Sequence, residues 1–245
     1  MKHTMGLQPY PHAILDGVAS RDLLRGLSEH WPDPEWPGWV NYDPLIERKR
    51  ASDLATPLPP SAGSLLALLA SMDLGQLVLK LNTVADLSLW GGGLHEIPPG
   101  GHLGCHLDAS HHPRLGLARA WSAVLWVHTR WESEWGGQLI LHDSGRRPAI
   151  QIDPLPGRLA VFATSGPAWH SVAPVKGPRP RRSLAIFGYR DTPGSAKVSR
   201  PRALFAAAPG EDASQRAEAA RKERSGANRL AALGDAPDIM IGPGY

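Results

Sequence analysis

Between about residue 94 and residue 190 the apolar positions come in short runs bounded by glycine and proline. AWSAVLWVH (120–128), GQLILHD (137–143), GRLAVFAT (157–164), HSVAPV (170–175) and RSLAIFGY (182–189) each have the length and composition of a strand. Strands at this spacing predict a sandwich or jelly roll rather than alternating βαβ units. Upstream the pattern is mixed. PHAILD (11–16) reads as a short strand, and SRDLLRGLSEHW (20–31) follows a helical period with Ser20 as its N-cap. A second helical stretch, rich in Leu and Ala, is predicted over about 61–82. Between the two, WPDPEWPGWVNYDP (31–44) is expected to be irregular, because its prolines break helices and cannot donate to a ladder.

Beyond Gly194 the residues turn to Ala, Arg, Glu, Pro and Gly, and EDASQRAEAARKERSGANRLAALG (211–234) reads as polar helix. The expected organisation is one domain over 1–194, with helical support over about 1–93 and a β core over about 94–190. A helical or irregular tail follows over 195–245, as a docking or self-association element. The expected fold class is mainly β with flanking helices.

Composition narrows the function. At 245 residues with 42% hydrophobic content a sizeable core is available. No apolar run reaches the roughly 18 residues of a membrane span, and MKHTMGLQPY lacks the apolar stretch of a signal peptide. One cysteine, Cys105, excludes an internal disulfide framework. Together these predict a cytoplasmic protein without a membrane or disulfide role. A formal charge of +3, with basic residues scattered apart from ERKR (47–50) and the arginines near 179–182, gives no nucleic-acid footprint. A small molecule or peptide is the expected partner.

The chemistry concentrates in HLGCHLDASHH (102–112), which holds four of the eleven histidines. In a strand, residues i and i+2 share a face, so His106 and Asp108 can reach one ion while Leu107 turns away. Non-haem Fe(II) oxygenases use two histidines and one carboxylate on one side of the metal. His170, in WHSVAPV after a Gly-Pro turn, offers a distant third ligand. In the strand after it, Arg181 and Ser183 alternate onto one face, where a guanidinium fork and a hydroxyl suit a carboxylate. Neighbouring side chains point to opposite faces, so Arg182, Leu184 and Ile186 are expected together on the other side.

These pieces in order resemble the Fe(II)/2-oxoglutarate-dependent dioxygenases of the prolyl 4-hydroxylase-like group. The matching segments are PPGGHLGCHLD (98–108), WESEWGGQL (131–139), PLPGRLAVF (154–162), HSVAPV (170–175) and RRSL (181–184). The resemblance implies a double-stranded β-helix core, with iron held by His106, Asp108 and His170. It implies 2-oxoglutarate gripped by Arg181 and Ser183, O2 as second co-substrate and ascorbate as an accompanying reductant. The reaction implied is hydroxylation of an unactivated C–H bond with release of succinate and CO2. Two departures stand out. Trp126 occupies the central-strand position where many members carry a Tyr that binds 2-oxoglutarate, and its indole N–H is expected to take over that contact. Ser110 replaces an Asn common two residues past the aspartate.

Other residues read more plainly. Cys105 is expected to be a small filler, His102, His111 and His112 loop or mouth residues, Trp169 a packing residue, and Arg179 and Arg182 solvent-facing. His95, just past the Gly triplet, is a candidate for facing the pocket. Two rival functions use the same residues: a cupin-like zinc hydrolase, and a catalytically silent metal-binding protein. The zinc reading has no use for the Arg-x-Ser pair.

Overall fold

The computed structural model describes residues 3–42, 47–112, 114–190 and 202–211, with scattered positions between 213 and 224. The chain opens with strands β1 (His3–Gly6) and β2 (His12–Leu15), then helix α1 (Arg21–Glu29). Ser20 caps α1 as expected, its Oγ accepting from the Leu23 N–H at 3.2 Å. A hairpin of β3 (Trp39–Asn41) and β4 (Arg50–Ser52) follows. β3 corrects the expectation that 31–44 is wholly irregular: the three residues that pair, Trp39–Asn41, lie beyond Pro37 and keep their donors.

The helical stretch over 61–82 is two helices, α2 (Pro60–Ala70) and α3 (Leu74–Leu79). They separate because Asp73 starts a new helix, its carboxylate accepting from the Gln76 N–H at 3.0 Å. The β core then runs through β5 (Val84–Ala85), β6 (Gly93–Ile97), β7 (Leu103–Leu107), β8 (Ala118–Trp126), β9 (Leu139–His142), β10 (Pro148–Ile152), β11 (Leu159–Ala163), β12 (His170–Val172) and β13 (Arg181–Arg190). A last strand, β14 (Leu204–Phe205), lies past the boundary expected at 194.

Two antiparallel sheets result. The larger runs β1-β2-β11-β8-β13-β6-β4-β3, with β5 also on β13, and the smaller runs β10-β9-β12-β7-β14. This is the mainly β, double-stranded β-helix arrangement with flanking helices. Side-chain alternation divides the core in two. One face of the large sheet, with Ala123, Leu125, Val161, Leu184 and Ile186, is covered by Leu24, Leu27, Leu65, Leu69 and Leu74 of the helices. The other faces the small sheet, where Trp126, Ala160 and Phe162 meet Leu139, Leu141 and Ile152. Leu184 and Ile186 pack outward and Arg181 and Ser183 lie inward, as the alternation predicts.

Arg182 is not a solvent residue. It shares the outer face with buried Glu96, which accepts from Arg182 Nε at 2.9 Å, Trp31 Nε1 at 2.8 Å and Arg50 at 2.5 Å. A buried carboxylate needs such partners. The cluster ties α1 and the β3–β4 hairpin to β6 and β13, and accounts for the last arginine of ERKR.

Helical positions between 213 and 221 agree with the expected tail helix, while residues 225–245 lie outside the described set. The segment around β14 packs on the core: Leu204 and Phe205 pair with Leu107 and His106. Ala206 and Ala208 join Cys105, Leu107 and Trp169 in one apolar cluster. Deleting residues 225–245, which keeps the buried Ala219 in place, is expected to leave thermal stability within about 2 °C. Deleting 195–245 uncovers that cluster and is expected to lower the melting temperature by at least 5 °C, read by circular dichroism. Equal stability of the two truncations would contradict this packing.

Candidate active site

The cross-strand register of β7 and β12 sets His106 directly opposite His170. Their rings are 4.1 Å apart between centroids. Each Nδ1 lies against the carbonyl two residues earlier, His106 to Gly104 at 2.9 Å and His170 to Ala168 at 3.0 Å. Those carbonyls hold the proton on Nδ1 and leave each Nε2 lone pair free. Asp108, just past the end of β7, brings Oδ1 to 3.6 Å from both Nε2 atoms. One ligand atom from each of His106, Asp108 and His170 falls within 4.8 Å of the others, the only such group among the described residues.

Burial, then the neighbouring His106, pushes His170 down to about 3, so it is neutral at any working pH. Burial alone would raise Asp108, but His170, His106 and the Arg119 guanidinium outweigh it and hold the carboxyl well below its usual range. Two imidazoles and a carboxylate are the donors a divalent iron ion needs on one side, with its remaining positions open.

A surrounding layer holds these groups. The outer oxygen of Asp108 accepts from Ser122 Oγ at 2.6 Å and lies 3.5 Å from Arg119 Nη1. Phe205 stacks on His106 at 5.1 Å, and Phe162 meets His170 edge-on at 4.8 Å. Tyr10 donates to the Trp169 carbonyl at 2.8 Å, fixing the backbone beside His170. Arg119 is the residue that alternation misplaces. A bulge opposite Gly188 and Tyr189 shifts the register of β8, so Arg119 pairs with Tyr189 on the inner face. It donates to the Tyr189 hydroxyl at 3.0 Å and stacks on Phe187. Nothing in the local pattern ARAW announces that bulge.

Deeper in the barrel, Ser183 lies between Trp126 and His95 in the cross-strand register. Arg181, 3% exposed, donates from Nε to the Gly137 carbonyl at 2.8 Å and reaches Ser183 Oγ at 3.4 Å. Gly137 has φ +71°, and a Cβ there would press on the Arg181 side chain at 3.1 Å. No carboxylate of the described residues pairs with this guanidinium, and burial pushes it down to about 9. The fully buried Trp126 keeps an unpartnered Nε1, with the Arg181 guanidinium 5.4 Å from its ring. A buried cation beside a free N–H donor is the complement of a small anion. His95 has an unpartnered, buried Nε2 and is pushed down to about 3, by burial first and then by Lys49 and Arg181.

His111, His112 and the cysteine are structural. His112 lies in the expected loop but is buried, 3.5 Å from Asp86 and edge-on to Tyr189. His111 hydrogen-bonds Ser110 at 2.7 Å. Trp169 packs beside Cys105, as expected, and Arg179 is exposed. Burial, then Glu211, pushes the Cys105 thiol up to about 12, which leaves it an inert filler.

The model of the 2OG-Fe(II) oxygenase superfamily matches residues 92–189. The β core is a 2OG-Fe(II) oxygenase domain. That family makes it a 2-oxoglutarate-dependent dioxygenase domain, with Fe(II), 2-oxoglutarate and O2 as cofactor and co-substrates. Solved structures share its fold. A Pseudomonas putida prolyl-4-hydroxylase superposes with a TM-score of 0.54 at 22% identity, covering 74% of this chain and 93% of that one. A Trichoplax adhaerens prolyl hydroxylase, solved with a hypoxia inducible factor peptide fragment, gives 0.53 at 16%, covering 73% and 83%. The viral collagen prolyl hydroxylase of Paramecium Bursaria Chlorella virus-1, in its 2OG complex, gives 0.51 at 12%, covering 74% and 96%. No curated protein matches the sequence.

Ser122 is the shortest tether on Asp108 in this oxygenase site. A hydrogen bond to a charged group is worth about 1.5–3 kcal/mol, and each 1.4 kcal/mol is about tenfold in affinity. Ser122→Ala, with Arg119 still in place, is expected to weaken Mn(II) binding by about tenfold without loss of the fold. Affinity within twofold of the parent would mean Arg119 alone orients the carboxylate.

Proposed function

We propose that this protein hydroxylates an unactivated C–H bond of a prolyl, amino-acid, peptide or natural-product substrate, releasing succinate and CO2 from 2-oxoglutarate. The observation that carries this reading is the coexistence of two complementary halves. His106, Asp108 and His170 each offer a ligand atom within 4.8 Å of the others, and deeper in the same barrel a buried guanidinium has no carboxylate partner among the described residues. His106, Asp108 and His170 are the metal ligands, their Nε2 and Oδ1 atoms already converging. Iron bound there supplies oxygen activation coupled to oxidative decarboxylation of the co-substrate. Arg181, Ser183 and Trp126 hold the distal carboxylate, the guanidinium by charge and the hydroxyl and indole N–H by direction. Phe162 and Phe205 shield the histidines from water.

The prolyl end of the substrate range is supported by fold neighbours that carry that activity in their names. A zinc hydrolase would leave the Arg181 cation without a partner in the reaction, and a silent protein would not need it at all. The domain over 1–194 is proposed as the catalytic unit, with 202–211 docked on it.

Purified protein supplied with Fe(II), 2-oxoglutarate and O2 is expected to form succinate, slowly in the absence of substrate. His170→Ala is expected to lower metal affinity at least a hundredfold while retaining the far-ultraviolet dichroism of the parent. Unchanged metal affinity in that variant would assign the ligand role to another histidine.

A further inference from the structure

The inner face at the deep end of the barrel is a grid of three strands and two rows. In one row Ser183 of β13 lies between His95 of β6 and Trp126 of β8. In the next, Arg181 has Ile97 on one side. On its other side the antiparallel pairing continues past the end of β8, where the Val127 N–H donates to the Arg182 carbonyl at 3.2 Å. That pairing turns Val127 outward and brings His128 onto the inner face beside Arg181.

Among the described residues, His128 makes one stacked ring contact and no hydrogen bond at Nε2. The residue is 6% exposed, and its Nε2 is buried without a partner. Trp131 covers the ring at 4.2 Å between centroids and 27° between planes. Burial, and then the charges of Arg181 and Arg182, hold the imidazole well below its ordinary pKa, so it is neutral with one N–H to donate. A buried ring nitrogen without an acceptor is a standing desolvation cost. A carboxylate at Arg181 presents about four lone-pair sites. The guanidinium cannot fill all of them, because its Nε is committed to the Gly137 carbonyl.

We propose that His128 is a further contact of the co-substrate's distal carboxylate, donating from a ring N–H beside Arg181 and so selecting a dicarboxylate whose far end reaches this row. The proposal rests on the reading of Arg181 as the carboxylate clamp. It predicts that the pocket holds its anion by a guanidinium, a hydroxyl, an indole and an imidazole together.

Binding to Zn(II)-loaded protein tests it without turnover. In calorimetric titrations of 2-oxoglutarate, His128→Phe keeps an aromatic ring on Trp131 but removes the donor, and is expected to weaken binding about tenfold. His128→Gln, which restores an N–H, is expected to recover at least part of that loss, with Zn(II) affinity unchanged in both. In the parent protein the His128 ring nitrogen resonances should move on addition of 2-oxoglutarate, a readout independent of any variant's folding. Binding within twofold of the parent in His128→Phe, or resonances that stay still while the ligand binds, overturns the role of His128 and leaves the clamp standing. A parent protein that binds no 2-oxoglutarate overturns both.

Discussion

The antiparallel pairing of β7 with β12 is the constraint on which the site depends. It sets His106 opposite His170, and the ladder spacing alone brings two imidazoles together from segments 64 residues apart in the chain. A slip of one residue would turn one ring to the other face of the sheet. Both neighbours of this pair defend it. β9 flanks β12 on one side, where His142 Nε2 meets Ser171 Oγ at 2.8 Å. β14 flanks β7 on the other, with Phe205 against His106. The carbonyls of Gly104 and Ala168 then fix the tautomers, so the lone pairs converge before any ligand arrives.

The second constraint is the unequal treatment of two adjacent arginines. Arg182, on the outer face, is neutralised by Glu96 within the fold. Arg181, one residue earlier and on the inner face, is given a backbone carbonyl and a serine but no carboxylate among the described residues. Desolvating a cation is costly, and the barrel bears that cost at Arg181. Such an uncompensated charge is better explained by an anion that comes and goes than by stability. Of the aromatic residues nearby, Trp131 commits its indole N–H to the Gly136 carbonyl at 3.2 Å, while the buried Trp126 N–H stays free for that anion.

Much of this was legible in the sequence, because strand period and site chemistry coincide. His106 and Asp108 are two residues apart, and so are Arg181 and Ser183; alternation alone puts each pair on one face. Leu184 and Ile186 likewise point to the helices. What alternation could not show was any place where the ladder breaks rule. Arg119 reaches Asp108 only through the bulge in β8. Arg182 reads as a surface charge until the fold brings Glu96, 86 residues away, alongside it. The short strands β3 and β14 owe their pairing to partners rather than to their own composition. His128 ends the strand predicted over 120–128, two residues after Trp126, so alternation gives its face but not its burial or its unpartnered Nε2.

The register of β13 carries the account, and one titration tests it. 2-Oxoglutarate added anaerobically to the Fe(II) protein should bind about 30- to 1,000-fold more weakly in Arg181→Ala, since losing one partner of a buried charge pair costs about 2–4 kcal/mol. Iron affinity should be unchanged. Arg182→Ala should shift co-substrate affinity less than about threefold, its loss falling on stability through Glu96. A large loss of binding in Arg182→Ala with none in Arg181→Ala would contradict the inward assignment of Arg181 and Ser183, and with it the anion pocket.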